Sequence, residues 1–362
     1  MATVHHPSLR IAQIAPLWAS VPPGTYGGIE LRLHWLIEEL VALGHEVTLY
    51  ASGDSRTSAK LRPLCDVNLM DAMARGDAWT YEGYANANLE AALRESGSFD
   101  VIHSHTGCAH IPFSVLSKTP IVHTLPTQLS RDEHWLLERY PDAHVVAISR
   151  NQVKEIPPKR RRSISVIHHG IHFGHYELGA GGGGFLVYLG RMNRAKSPLD
   201  AIRVAERAEM PIVLAGAPAD AEERAYFEEC VRPRVDGKRV RYVGLVNHPQ
   251  KVDLLRKAAA LVFPIQWEEP FGLVMAEAMA CGTPVVACGR GSVPEVVDPG
   301  ITGYYADSWE MLPGLVSEAL ALDRAAVRAH AQERFSHLRM VNRYLRIYQD
   351  LTGITASFAH SA

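Results

Sequence analysis

No run in the sequence approaches the ~20 apolar residues that a membrane-spanning helix needs. The opening stretch, MATVHHPSLRIAQIAP, lacks the continuous apolar core of a signal peptide. Cysteine is scarce: five in 362 residues (65, 108, 230, 281 and 288), an odd number with no paired-ligand spacing. Such usage argues against a disulfide frame or a zinc site and fits reduced thiols in a cytoplasmic setting. Neither sign of charge is in excess. A formal net charge of −2 makes no whole-molecule case for nucleic acid or an anionic membrane as partner. The one dense basic run, Lys159-Arg160-Arg161-Arg162, lies beside two prolines and reads as a solvated loop; a peripheral membrane contact stays possible but unsupported, since net charge does not reveal a surface patch. No Asp-x-Asp pair occurs anywhere.

What is present is the composition of an ordinary soluble globular protein, 47% apolar and 21% charged, long for one domain and natural for two. Short apolar runs alternate with longer amphipathic ones, the mark of βαβ units and parallel sheets. LRIAQIAP (9–16), HEVTLYA (45–51), FDVIHSH (99–105), PIVHTL (120–125) and HVVAIS (144–149) read as strands, with ISVIHHGI (164–171) as a sixth candidate. A helix pattern fills 29–43 and stops at Gly44. GAGGGG (179–184) then breaks the composition and reads as a connector. Strands resume with FLVYLGR (185–191), MPIVLAG (210–216), VRYVG (240–244), ALVFP (260–264) and TPVVA (283–287). The expectation is an α/β chain of two doubly wound, Rossmann-like domains, 1–178 and 179–337, facing each other across a cleft. A last amphipathic pattern near 338–351 either packs on the second domain or crosses back, with the rest of 338–362, to the first.

The stretch WEEPFGLVMAEAMACGTPVVA (267–287) is too apolar to carry Glu269 and Glu277 without a reason, since buried carboxylates are costly unless paired or bound. Proline pushes the residue before it out of helical conformation, which puts Glu269 in a loop. Pro270 suits a first helical turn, and 271–280 then form a helix closed by Gly282. Glu277 falls about two turns in, roughly 10 Å beyond Glu269 at 1.5 Å rise per residue, with the anion-favouring helix N-terminus between. An acceptor, then unpaired N–H groups, then another acceptor matches the order of a nucleotide sugar: sugar hydroxyls, diphosphate, ribose hydroxyls. The loop also follows the C-terminal end of a strand, where open α/β sheets bind ligands.

E-x7-E within EPFGLVMAEAMACGTPVVA resembles the signature of the retaining glycosyltransferase family 4, which has the GT-B fold. YGGIE (26–30), LGHEV (43–47), FDVIHSH, HHGI, LGRMNRAKSP (189–198) and GSVPEVVDPGITGYY (291–305) follow in the order that family shows. The resemblance implies transfer of a hexosyl or related sugar from a nucleotide donor, with UDP favoured over GDP or ADP. The acceptor would be a hydroxyl on a small molecule or glycan, with retention at the anomeric carbon and neither metal nor other cofactor. It makes Arg191 and Lys196 the pair that neutralises the leaving diphosphate, and Ser197-Pro198 a helix start. Glu269 is assigned to the sugar and Glu277 to the ribose. Gly27, Gly28, Phe271, Gly272, Leu273 and Gly244 join the donor-binding set. Glu30 and His105 are weaker candidates on the acceptor side. The missing Asp-x-Asp is the metal-holding motif of the other glycosyltransferase fold.

One departure stands out. The family carries an active-site histidine in a T-x-H arrangement, but alignment on Thr124 puts Pro126 in that place. His123 either points into the cleft as a catalytic group or is a satisfied core histidine. His103 and His105 share a strand face, which admits two metal ligands, though without a third a structural role is favoured. Gly170 is read as a turn residue, His172 receives no chemistry, and Glu295 is taken as structural. Alternatives are a nucleotide-sugar-binding protein that has lost catalysis, a glycoside hydrolase using the two glutamates, and a nucleotide-sugar epimerase.

Overall fold

The computed structural model describes residues 8–24 and 27–354. Tyr26 of YGGIE, the first seven residues of the stretch read for a signal peptide, and 355–362 at the end of the last expected segment lie outside the described residues. The chain divides into two compact units. The first takes the residues up to Ile148, then Val153–Gly170 and the chain from His337 onward; the second takes Ser149–Gln152 and Ile171–Ser336.

The first unit holds β1 (Arg10–Ile14), β2 (Glu46–Ala51), β3 (Lys60–Pro63), β4 (Val101–Ser104), β5 (Ile121–Leu125), β6 (His144–Ala147) and β7 (Ser165–Val166). They form one parallel sheet in the order β3-β2-β1-β4-β5-β6-β7. The second holds β8 (Leu186–Leu189), β9 (Ile212–Ala215), β10 (Val240–Tyr242), β11 (Ala260–Phe263), β12 (Val285–Cys288) and β13 (Gly303–Ala306). These also run parallel, in the order β10-β9-β8-β11-β12-β13. Central strands such as VVAC and ALVF are buried on both faces, as near-continuous apolar runs require. In each sheet the order reverses once, between β1 and β4 and between β8 and β11. Loops leaving those strands define the crevice where doubly wound sheets take ligands.

The helix Gly28–Ala42 covers the first sheet with Leu33, Leu36, Ile37 and Leu40. The final helix, His337–Thr352, belongs to this unit and sends Met340, Val341, Tyr344, Leu345 and Tyr348 into the same core. At about 1.5–3 kcal/mol per fully buried large apolar side chain, those five contribute on the order of 10 kcal/mol. The crossing-back alternative is the one the packing shows.

Three readings are corrected. GAGGGG is not the connector; the chain passes between the units at 170/171. The glycine run is bonded into the second unit: Gly179 N–H donates to Cys281 O at 3.0 Å, Gly181 to Arg256 O at 3.2 Å and Gly183 to Lys257 O at 3.0 Å. Arg324 adds Nε–H to Gly179 O at 2.6 Å. The basic run is not all solvated. Arg160 is buried and donates to the carbonyls of Leu137, Tyr140 and Ala143, closing the end of the helix Arg131–Arg139. Gly170 has no turn geometry; a side chain there would strike the backbone of His337. Among the described residues all five cysteines are free, and no helix is long and apolar enough to cross a membrane.

Candidate active site

In the second unit the sequence-predicted residues converge on the switch point between β8 and β11. The loop after β8 carries Gly190 to Ser197 and feeds the helix Pro198–Arg207, whose proline sits in its first turn. Ser197 does not cap that helix: it adopts φ 55°, and its hydroxyl donates to Asp200 Oδ2 at 2.6 Å. The loop after β11 carries Trp267 to Gly272. Its helix begins at Leu273, three residues after Pro270, because Gly272 takes φ +73°, a left-handed conformation open to glycine. With the helix Leu273–Ala280 so shortened, Glu277 stands one turn in rather than two.

The two loops meet through an ion pair. Lys196 Nζ bonds Glu269 Oε2, whose other donor is Trp267 Nε1 at 2.8 Å. Glu269 is buried, and its backbone is gripped as well: Ser292 N–H donates to Glu269 O at 2.8 Å. Arg191 is anchored on Glu223, with Nε–H to Oε2 at 3.3 Å and Nη2 on Oε1. Asn193 Nδ2 reaches Glu223 Oε1 at 2.8 Å, and Ala219 N–H reaches Oε2 at 2.7 Å. Burial pushes the Glu223 carboxyl up, but the bonds from Asn193, Ala219 and Arg191 outweigh it and hold it below the usual range. Glu277 is also buried. Its Oε1 accepts from Lys251 Nζ at 2.7 Å and from the Tyr176 hydroxyl at 2.8 Å.

Glu223, Trp267, Lys251 and Tyr176 escaped the sequence reading. Trp267 alone carried a local signal, lying two residues from Glu269; the others arrive from 26 to 101 positions away. Phe271 is reassigned, because its side chain is buried edge-on against Phe335 at 5.8 Å and lines the core. Leu273 is half-buried at the helix start. Gly244 lies past β10 with φ +70°, its carbonyl accepting Gly216 N–H at 2.8 Å. Glu295 does hold structure, accepting the backbone N–H groups of Arg150 at 2.8 Å and Asn151 at 2.7 Å.

In the first unit the switch point is lined mainly by histidines, with Arg32 as a buried cation whose Nη1–H donates to Gly170 O at 3.0 Å. Gly27 lies so close to Pro23 and the Glu30 carboxylate that no Cβ fits there. Gly28 opens the helix Gly28–Ala42. Burial raises the Glu30 carboxyl, partly offset by backbone bonds from Glu30 and Ala19. His105 Nε2–H donates to Gln13 Oε1 at 2.7 Å. His103 is locked between the Tyr348 hydroxyl at 2.6 Å and Thr124 Oγ1 at 2.7 Å. Burial drives His105 and His169 down to about 3 and His103 well below its ordinary range, so all three are neutral. Pro126 lines a small pocket with His105, Thr124, His169 and Tyr344. His123 lies on the opposite face of β5, fully buried, with Nε2 against Ser114 Oγ at 2.7 Å. That is the placement of a core histidine. Among the described residues no cluster of three or more His, Cys, Asp or Glu is arranged to hold a metal ion.

Comparison with known proteins agrees with this architecture. Residues 178–334 match the family model "Glycosyl transferases group 1", and residues 26–174 match "Glycosyltransferase Family 4". The chain belongs to this glycosyltransferase family and is a glycosyltransferase of the GT-B fold. It is similar to a glycogen synthase of Mycobacterium tuberculosis, 28% identical over 331 residues that cover 78% of this chain and 79% of the relative. It is also similar to a D-inositol 3-phosphate glycosyltransferase of Streptomyces avermitilis, 26% identical, covering 78% of this chain and 73% of that one. Among solved structures it resembles a glycosyltransferase involved in avilamycin A biosynthesis, with TM-score 0.71, 28% identity, and coverage of 95% and 98% of the two chains.

Proposed function

We propose that the second unit binds a nucleoside-diphosphate sugar, and that the enzyme transfers its sugar to an acceptor hydroxyl with retention at the anomeric carbon and without a metal ion. The observation that carries this is the Lys196–Glu269 pair at the β8/β11 switch point, beside the helix that starts after Gly272. A cation, a helix N-terminus and a carboxylate there match a diphosphate joined to a sugar. Lys196 and Arg191 would balance the charge that builds on the leaving diphosphate. Glu269 would hold sugar hydroxyls and Glu277 the ribose. The acceptor oxygen forms its bond to the anomeric carbon as the carbon–phosphate oxygen bond breaks, and the acceptor proton leaves with the diphosphate. A small-molecule or glycan acceptor supplies the hydroxyl. Uridine is the base to try first, being the commonest among donors of this family. The chemistry needs no resident cofactor and is compatible with a cytoplasmic site.

Calorimetric titration with UDP, GDP and ADP, in EDTA throughout, tests the donor site. Selective binding of one diphosphate supports it; binding of none refutes it. Incubation with the matching nucleotide sugars and candidate acceptors, followed by NMR of the new anomeric bond, tests transfer and its stereochemistry. Pro126 in the T-x-H position favours a second reading, in which the chain binds donors without turnover. Transfer above background would remove it.

A further inference from the structure

One side chain in the second unit touches both members of the pair that carries the donor-site reading. Trp267 is half-buried in the loop after β11. Its indole Nε1–H donates to Glu269 Oε2 at 2.8 Å, and its ring lies under the Lys196 ammonium, 4.6 Å from Nζ to the centroid. Phe263 is a more distant second ring at 5.8 Å. Indole nitrogen is a donor only, so its bond to a carboxylate cannot reverse. An aromatic face also lends a cation a modest attraction without binding it in one direction.

These contacts divide two tasks. In the ligand-free arrangement Glu269 Oε2 has two donors, Lys196 and Trp267. An entering diphosphate competes for Lys196, because two phosphates carry more negative charge than one carboxylate. Once Lys196 turns toward them, the indole N–H is the donor that keeps the carboxylate oriented. A buried carboxylate stripped of both donors would rotate or take up a proton. We propose that Trp267 is a positioning residue of the donor site: its N–H holds Glu269 aimed at the sugar while its ring lets Lys196 swing to the diphosphate. The role rests on the donor-site reading above and goes beyond it, because it assigns to an indole the coupling between phosphate binding and sugar recognition.

Trp267→Phe keeps a ring for Lys196 and removes only the N–H. Full-length wild type and variant are titrated by calorimetry with UDP, GDP and ADP, then with UDP-glucose, UDP-galactose, UDP-N-acetylglucosamine, GDP-mannose and ADP-glucose. The diphosphate bound by wild type should bind the variant within about threefold. The extra affinity that the sugar adds should fall by about tenfold, the weight of one hydrogen bond to a charged group. Undiminished sugar affinity in Trp267→Phe overturns the role and leaves the donor site standing. Failure of wild type to bind any diphosphate overturns both. A ligand-free readout guards against a variant that misfolds: Lys196→Met, in a chain that keeps Trp267, removes the charge over the ring. The emission maximum, taken with Trp267→Phe as the blank for the other tryptophans, should shift. An unchanged maximum overturns the ring–ammonium contact and the proposal with it.

Discussion

The two sheets share a strand order up to one extra edge strand, yet their switch points carry different chemistry. Between β8 and β11 the crevice is ionic: Arg191 on Glu223 and Lys196 on Glu269, with Lys251 on Glu277 in the adjoining helix. Between β1 and β4 it is mostly histidine-lined, with His103, His105 and His169 neutral, the Glu30 carboxyl raised by burial, and Arg32 adding a cation. A topology fixes where a ligand can sit and leaves its chemistry to the loops. An ionic crevice with its charges already matched suits a ligand that exchanges one set of ion pairs for another, as a diphosphate does. The histidine-lined crevice, with its single set of neutral rings around Arg32, suits hydroxyl-rich or weakly polar groups.

The sharpest way to break this contrast is Lys196→Ala. If the ionic crevice stabilises a leaving diphosphate, turnover should drop about 10²–10³-fold, the usual weight of one preorganised charge-stabilising group. A drop under threefold in transfer assays would show that the crevice is ionic for another reason.

Acid separates the two units next. His105, His123 and His169 have folded values near 3 and His110 near 4, against an ordinary 6.5. A histidine depressed in the fold has its full stability above 6.5 and loses it as pH falls from there toward the folded value. Each should cost the first unit about 1 kcal/mol per pH unit over that window. Glu30, raised by burial, opposes the trend. In the second unit the depressed carboxyls are Glu223 and the more exposed Asp236, Asp253 and Glu310, whose contributions are intact above 4.5 and fade only below it. Between pH 6.5 and 4.5, hydrogen exchange should therefore loosen the first unit well before the second. Equal loosening would erase the distinction.

Glu277→Ala probes a single ion pair. It strands Lys251 and Tyr176 and should weaken nucleoside-diphosphate binding by about 1–3 kcal/mol by calorimetry. Equal affinity would remove the ribose assignment. The smallest effect should come from Trp135, 61% exposed on the helix Arg131–Arg139. Its replacement by alanine should move stability by no more than about 0.5 kcal/mol in urea unfolding, as for surface sites away from such features.

The contrast was half visible in the sequence. Apolar runs located the central strands, and the loops after β8 and β11 followed from them. One edge strand of each sheet was missed: Lys60–Pro63 is half-exposed and polar, and Gly303–Ala306 is tyrosine-rich and only partly buried, so neither shows an apolar run. The glycine run reads the same in sequence whether it is mobile or hydrogen-bonded; the partners that decide, Arg256, Lys257, Cys281 and Arg324, all lie far along the chain. Glu269 was found from the apolar run around it and the proline after it, and Lys196 from the family resemblance of LGRMNRAKSP, whose loop follows a strand. The partners that hold the cations, Glu223 above all, come from other segments, and no local pattern announces them.

The helix His337–Thr352 has a bearing on how the chain comes into being. On a ribosome, the second unit has all its residues once Ser336 emerges, while the first, begun earlier, still lacks the side chains that seal its core. Domains tend to fold as units during synthesis, so the later half should be native first. A chain released a few turns early would carry a finished donor-binding unit beside an unsealed partner sheet, with the apolar face around Val122, Val146 and Ile167 bare. The sixteen residues of His337–Thr352 are thus the part of the chain on which closure of the first unit's core waits.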